Sequence, residues 1–342
     1  LSAQEITYET VERLGRTKSL ADRARENKVE LLGGYPVQEL GEPIDWFRAP
    51  DNDWQWPTHL SRHYWLLPLA YLYRVSGDQT AAAKVVEVLL DWTAKFPNGV
   101  ETLQLRGVRA DRQTSEGTFQ GYGDGPWTSL SAHARVETWT QLFQLLWDSD
   151  ALTNQAVAIL LESLLGQHRQ CMIEFPRAMN QFQGIAVSLV HLGMCYPDLD
   201  GAAEAGQIGW QRVEQWTTGE IYPDGSLAEC SPNYGGGCVL RLHRLAEETL
   251  KRGGTVPPVV RERIALATRY LALFSDPQRC SPRIAKGGGS IVSMVKELNT
   301  VAQDPEVAWL ASDGQDGRAP AELCQRWSWA GRSGTATMRV AG

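Results

Sequence analysis

The chain has 342 residues, 43% of them hydrophobic and 21% charged, so it can bury a substantial core and is not of the disordered class. Its net charge of −7 speaks against nucleic acid as a partner, because duplex binding draws on a basic surface. No apolar run is long enough to span a membrane and no signal peptide is visible.

In chain order, the first strong pattern is "HYWLLPLAYLY", a helix that Pro68 is expected to kink. "AAAKVVEVLLDWTAKF" follows, with Val85, Val88, Leu89 and Trp92 at helical spacing and a stop at Pro97-Asn98-Gly99. Residues 99–126 have no period and read as a long ordered loop, a lid or cleft wall. Amphipathic helices are then predicted over 129–149, 154–175, 180–196, 206–222, 238–254 and 258–275, joined by short polar or Gly/Pro connectors. Such a series of antiparallel helical hairpins predicts a mainly α fold, an incomplete (α/α) toroid or barrel, over residues 1–325. "SGTATMRVAG" alternates with period two and predicts a strand, so 326–342 is expected to begin a β-rich, β-sandwich domain cut short by the end of the chain.

Cysteines stand at 171, 195, 230, 238, 280 and 324, with no Cys-x-x-Cys pair, which makes a structural zinc unexpected and leaves one or two disulfides open. Tryptophan is abundant at thirteen. Large aromatics usually fill cores, but Trp54 and Trp56 lie among Asp, Asn, Gln and Pro, a loop composition that suits stacking on sugar faces.

Four segments carry candidate chemistry. In "EIYPDGSLAECSPNYGGG" (220–237), Pro223-Asp224-Gly225 is turn chemistry, Ser231-Pro232 interrupts any helix, and Tyr234 sits at the lip of a glycine run where the backbone can approach a ligand. A nearby cation can lower a tyrosine's pKa and let it act as base and then acid. In "RAMNQFQG" (177–184), Asn180 is either a helix cap or an amide aimed into a cleft, with Gln181 and Arg177 beside it. In "WPTHLSRHYW" (56–65), His59 and His63 are four apart and expected on one helix face, with Arg62 and two tryptophans. The spacing would suit a metal, but no acidic third ligand follows, and a cationic, aromatic cleft wall is the better reading. "GDGPWTSLSAHARVETW" (123–139) offers Trp127, His133 and Arg135 as a second wall.

Together, "RAMNQF" and "YPDGSLAECSPNY", with "HLSRHYWLLPLAYLYRVSGDQTAAAKVVEVLLDW" and "PWTSLSAHARVETW", resemble the heparinase II/III-like polysaccharide lyases over nearly the whole chain. The resemblance implies an enzyme: an N-terminal α/α toroid that cleaves a uronic-acid polysaccharide, such as a glycosaminoglycan, by β-elimination. Asn180 would neutralise the uronate carboxylate and Tyr234 would act as base and acid. Gln181, Arg62, His63, Trp54, Trp56, Trp127, Arg135, Arg177 and Glu229 are the expected substrate-binding residues. Gln181 and Gly235 stand where the family commonly has histidine, and a further family histidine comes from the β-sandwich. No cofactor or metal is expected from this segment, with a divalent metal in a downstream β-domain left open. The expected partner is an acidic polysaccharide or oligosaccharide, in a periplasmic or secreted setting. The alternatives are an α/α-toroid glycoside hydrolase using Asp224 and Glu229, which needs two carboxyl groups about 5–10 Å apart, and a carbohydrate-binding relative without the chemistry.

Overall fold

The structure is a computed structural model and describes residues 8–31, 36–53, 55–97, 127, 129–173, 179–229, 231–274, 280–281, 290–312, 315–318, 326–330 and 335–339. Twelve α-helices among them make the chain mainly helical. The chain divides into two compact units, residues 1–175 and 176–342. The expected loop over 99–126, Trp54 and Arg177 lie outside the described residues.

The first unit holds α1 (Tyr8–Arg25), a two-residue antiparallel pair of β1 (Lys28–Val29) and β2 (Gln38–Glu39), then α2 (Gln55–Leu60), α3 (Leu67–Ser76), α4 (Gln79–Lys95), α5 (Ser129–Leu146) and α6 (Asn154–Ile173). Helix α3 packs on α1, α4 and α5, and α6 on α4 and α5. Gly77 ends α3 in the left-handed region at φ +73, and Asp78 caps α4 by accepting from the backbone N–H groups of Thr80 and Ala81. Pro68 does not kink a helix. A 3-10 turn over Tyr64–Leu66 precedes α3, and Pro68 falls in the first turn of α3, where its missing N–H has no partner to lose. Val85, Val88, Leu89 and Trp92 form the buried stripe of α4, as their spacing predicts.

The second unit holds α7 (Met179–Cys195), α8 (Ala202–Glu220), α9 (Pro232–Lys251), α10 (Pro258–Phe274), α11 (Val292–Ala302), α12 (Pro305–Ala311) and an antiparallel hairpin of β3 (Arg326–Ala330) and β4 (Thr335–Arg339). The strand predicted near the end is β4. Its partner β3, in "RWSWA", was not anticipated. Helices α7 and α8 meet backbone to backbone. A Cβ on Gly193 would lie 2.5 Å from the Ala202 carbonyl oxygen, and one on Gly209 would lie 2.8 Å from the Val190 nitrogen. This antiparallel contact brings the start of α7 beside the end of α8. Helix α9 begins six residues earlier than its apolar period indicates. Pro232 opens it, and the glycines 235–237 lie inside the helix rather than in a loop. Two of them admit neighbouring side chains: a Cβ on Gly235 would meet Leu227 Cδ1 at 2.6 Å, and one on Gly236 would meet Met294 Cε at 2.6 Å. The close approach is to the protein's own core. Cys171, Cys195, Cys238 and Cys280 are free thiols.

Candidate active site

Helix α8 ends at Glu220, and the chain then reverses through a turn that the sequence specifies closely. Gly225 N–H donates to the Tyr222 carbonyl at 2.8 Å and Tyr222 N–H to the Ser226 carbonyl at 2.9 Å. Gly225 has φ +83, and a Cβ there would lie 2.2 Å from the Leu266 carbonyl oxygen, so both conformation and space demand glycine. Asp224 Oδ1 accepts from Ser226 N (3.0 Å) and Ser226 Oγ (2.7 Å), locking the turn from within. Ile221 and Leu227 pair as an isolated antiparallel bridge, and Ala228 N–H donates to the Glu220 carbonyl at 2.9 Å. Residues 227–229 are thereby laid back along the end of α8.

The first turn of α9 then presents Tyr234, 38% exposed. The first turn of α7 presents Asn180, half-buried. The Asn180 amide does not turn inward as a cap. Its Nδ2 donates to Tyr234 Oη at 2.5 Å. A second tie between the same helices runs from the buried Gln183, whose Nε2 donates to the Cys238 carbonyl at 2.7 Å. Asn180 also lines a small pocket with Trp216, Glu220, Leu227, Glu229, Gly235 and Cys238. Burial, reinforced by the charge of Glu229, raises the pKa of Glu220. Burial also pushes the Cys238 thiol up to about 11, with Arg241 opposing and Glu229 and Glu220 adding. This pocket is therefore acidic and partly desolvated, and it sits directly beside an amide–phenol pair. Of its residues, Asn180, Glu229 and Gly235 were singled out in the sequence. Glu220, Trp216 and Cys238 were not, because no spacing rule connects the ends of three helices. Gln181 is half-buried on α7 beside Asn180.

The hydrolase alternative needs Asp224 as a free carboxylate, but its Oδ1 is engaged inside its own turn. Among the described residues, no cluster of His, Cys, Asp or Glu has the make-up of a metal site. No described helix is long and apolar enough to cross a membrane.

The residues expected to form aromatic, cationic cleft walls in the first unit are placed differently. Trp56 lies in α2 and is 0% exposed, not on a loop. His63 follows the end of α2 in the left-handed region, φ +63, so it does not share a helix face with His59. His63 is wholly buried, stacked on Trp139 and edge-on to Trp46 and Trp92. Its Nδ1 accepts from Trp139 Nε1 at 2.9 Å, and burial, with Arg135, holds its pKa well below the usual value. Trp127 and Arg135 are buried too, the guanidinium carbon 4.4 Å from the Trp92 ring centroid and 5.6 Å from that of Trp127. His133 is buried on α5. Arg62 is half-buried, with Nη1 3.5 Å from His59 Nε2, and burial and then Arg62 lower the His59 pKa to about 4. For His63, Trp127 and Arg135 the physical reason is shared: the rings of Trp46, His63, Trp92, Trp127 and Trp139 pack on one another, and the guanidinium lies over two of them, burying surface that a solvent-facing wall would leave exposed.

Comparison with known proteins agrees with the helical architecture. The chain is 28% identical over 230 residues to a heparin-sulfate lyase of Bacteroides stercoris, covering 64% of this chain and 32% of that protein. It superposes on a crystal structure of heparinase III with a TM-score of 0.74 at 19% identity, over 91% of this chain and 48% of the other. On the heparan sulfate lyase HepC from Pedobacter heparinus the TM-score is 0.68 at 20% identity, over 95% and 48%. The chain thus spans about a third of the curated relative and about half of the solved chains. The profile described as Heparinase II/III N-terminus matches residues 3–303, and by that match the chain belongs to the heparinase II/III family.

Proposed function

We propose that this chain is the helical part of a polysaccharide lyase that cleaves a uronic-acid polysaccharide by β-elimination, with Tyr234 as general base and acid and Asn180 as the group that neutralises the uronate carboxylate. The observation that carries this reading is the Asn180 Nδ2 donation to Tyr234 Oη. One amide N–H supports the phenol oxygen, which favours its ionised form. The amide's second N–H remains to donate to a carboxylate, where charge grows as the proton next to it is lost.

The steps balance on these two residues. The ionised Tyr234 oxygen takes the C5 proton of the uronate. The C–H electron pair becomes the C4=C5 double bond, and the C4–O glycosidic bond breaks with its electrons. The departing oxygen takes a proton from the Tyr234 hydroxyl, which returns the phenol to its starting state. The products are a 4,5-unsaturated uronate and a sugar with a free hydroxyl.

The relatives are named heparin-sulfate and heparan sulfate lyases, so a heparan-type glycosaminoglycan is the substrate class proposed first. Helices α1–α12 would form an (α/α) toroid, and the β3–β4 hairpin would open a β-rich domain. The test is to incubate the protein with heparan sulfate, heparin, chondroitin sulfate, hyaluronan and alginate, and to follow the ultraviolet absorbance of the conjugated product. A signal from one of these that Tyr234→Phe abolishes is the expected result. Silence on every substrate with binding retained would establish the carbohydrate-binding alternative instead.

A further inference from the structure

Helices α7 and α9 run side by side in the same direction. Side-chain approaches between them advance together along both: Asn180 to Tyr234, Gln183 to Cys238, His191 to Glu248 and Met194 to Thr249. The first of these is the proposed catalytic pair, and it stands at the open ends of both helices. Asn180 is the second residue of α7 and Tyr234 the third of α9. The first turn of a helix has N–H groups without helical partners and frays most readily. Ser231, the N-cap of α9, makes no side-chain cap bond that would resist this.

Gln183 lies one turn further in. It follows Asn180 by three residues, as Cys238 follows Tyr234 by four, so both ends of this tie share a helix face with the pair. The side chain is 1% exposed, and its Nε2 donates to the Cys238 carbonyl at 2.7 Å. A main-chain carbonyl inside a helix cannot swing away as a side chain can, so the bond fixes the helix itself rather than a rotamer. A carbonyl oxygen has two lone pairs and takes this bond without giving up its helical one. Burial keeps water from competing for it. Leu227 packs on the same turn of α9, filling the space that a Cβ on Gly235 would need. The beginning of α9 is thus held by a hydrogen bond from α7 and by packing from the chain before it. What these restraints set is the approach of the Asn180 amide to the Tyr234 oxygen, and that approach decides how strongly the ionised phenol is favoured.

We propose that Gln183 is a positioning residue for the Asn180–Tyr234 pair, holding α7 and α9 in register through the Cys238 carbonyl. Its kinetic consequence rests on the lyase reading; its effect on Tyr234 ionisation does not. The test reads both. Tyr234 ionisation is followed without substrate, by NMR of protein carrying isotope-labelled tyrosine, with Tyr234→Phe assigning the signal. Alongside it, kcat and KM are measured on heparan sulfate. Gln183→Met keeps the length and removes the donor. It should raise the Tyr234 pKa by roughly half a unit and lower kcat about tenfold with KM within about twofold, as a small misplacement of the reacting group does. Gln183→Glu keeps the shape but donates only while protonated, so its kcat relative to the native protein should fall as pH rises. A role in stability alone would lower the urea midpoint of Gln183→Met and leave the Tyr234 pKa and kcat native, and that result would overturn the proposal. So would a Gln183→Glu ratio indifferent to pH, which decides the matter if Gln183→Met does not fold. An active Tyr234→Phe would overturn the lyase reading instead, and the ionisation shift would still judge Gln183.

Discussion

The two units use similar polar and aromatic residues to opposite ends. In the first, a guanidinium, an imidazole and several indoles are folded out of solvent, with Arg135, His63, Trp56 and Trp139 all 0% exposed. In the second, an amide and a phenol are held at the surface, with Tyr234 38% exposed in the first turn of α9, after a reversal that Gly225 and an Asp224–Ser226 lock fix. Groups that stabilise a fold are enclosed and their loss is felt as stability. Groups that do chemistry must be reachable, and their loss is felt as rate. Substitutions in the two places should therefore separate cleanly.

The largest expected effect is Tyr234→Phe, which removes the only proton carrier proposed for the elimination. Turnover should fall by about 10³-fold, while the thermal midpoint stays near that of the native chain. A parallel fall in both would mean that Tyr234 is structural. Asn180→Ala should follow, with kcat lower by roughly 10²-fold, the usual consequence of removing one donor aimed at developing charge. It should also raise the Tyr234 pKa, because the phenolate loses its N–H donor. The pH–rate profile measures that directly, as a basic shift of its ascending limb.

In the first unit the same logic inverts. Trp139→Phe leaves His63 Nδ1 buried without its donor and should cost about 2 kcal/mol of stability, with kcat unchanged, as read by urea unfolding and product absorbance side by side. Acid should act on the same unit. His59 and His168 both have pKa values lowered to about 4, chiefly by burial. A histidine whose folded pKa lies below its unfolded value near 6.5 takes up its proton more readily when unfolded. Its contribution is therefore complete above pH 6.5 and is lost as pH falls toward 4. At pH 5 the loss should be about 1 kcal/mol for His59, after allowance for its partial exposure, and about 2 kcal/mol for the buried His168. Hydrogen exchange by mass spectrometry should show α2–α6 losing protection at higher pH than α7 and α8. Equal loss in both units would break the comparison.

Much of this architecture is legible in the sequence, and the exceptions share a cause. The helical stripes of α4–α8 and α10, the 222–226 turn and the strand β4 follow from local period and turn chemistry, which need only neighbours in sequence. The fate of His63 depends on partners far along the chain, Trp92 and Trp139, which local composition cannot name. Loop-like residues around Trp56 concealed its burial. The glycines after Tyr234 read as a helix break, yet they continue α9 because Leu227 and Met294 fill the space a Cβ would need. Asn180 and Tyr234 are singled out by their own segments, a polar helix start and a turn before glycines, and only their roles come from the resemblance to a family. The structure adds that they are hydrogen-bonded, a relation across 54 residues that neither segment announces alone.

The smallest predicted effect is the one that separates lyase from hydrolase. Asp224 and Glu229 stand five apart in sequence, and a glycosidase would need both as working carboxyl groups. Here Asp224 Oδ1 is taken up by Ser226 N and Oγ, a use that needs an acceptor oxygen but no charge. Asp224→Asn supplies the same oxygen, since an asparagine makes the same local turn. Stability should change by only a few tenths of a kcal/mol, and activity by less than about threefold, because each 1.4 kcal/mol corresponds to about tenfold. A hydrolase would lose orders of magnitude on the same change, since its carboxyl group would be transferring the proton or attacking the sugar. The two readings differ most where the lyase predicts least, so a near-silent Asp224→Asn measured beside an inactive Tyr234→Phe would assign the chemistry to the phenol.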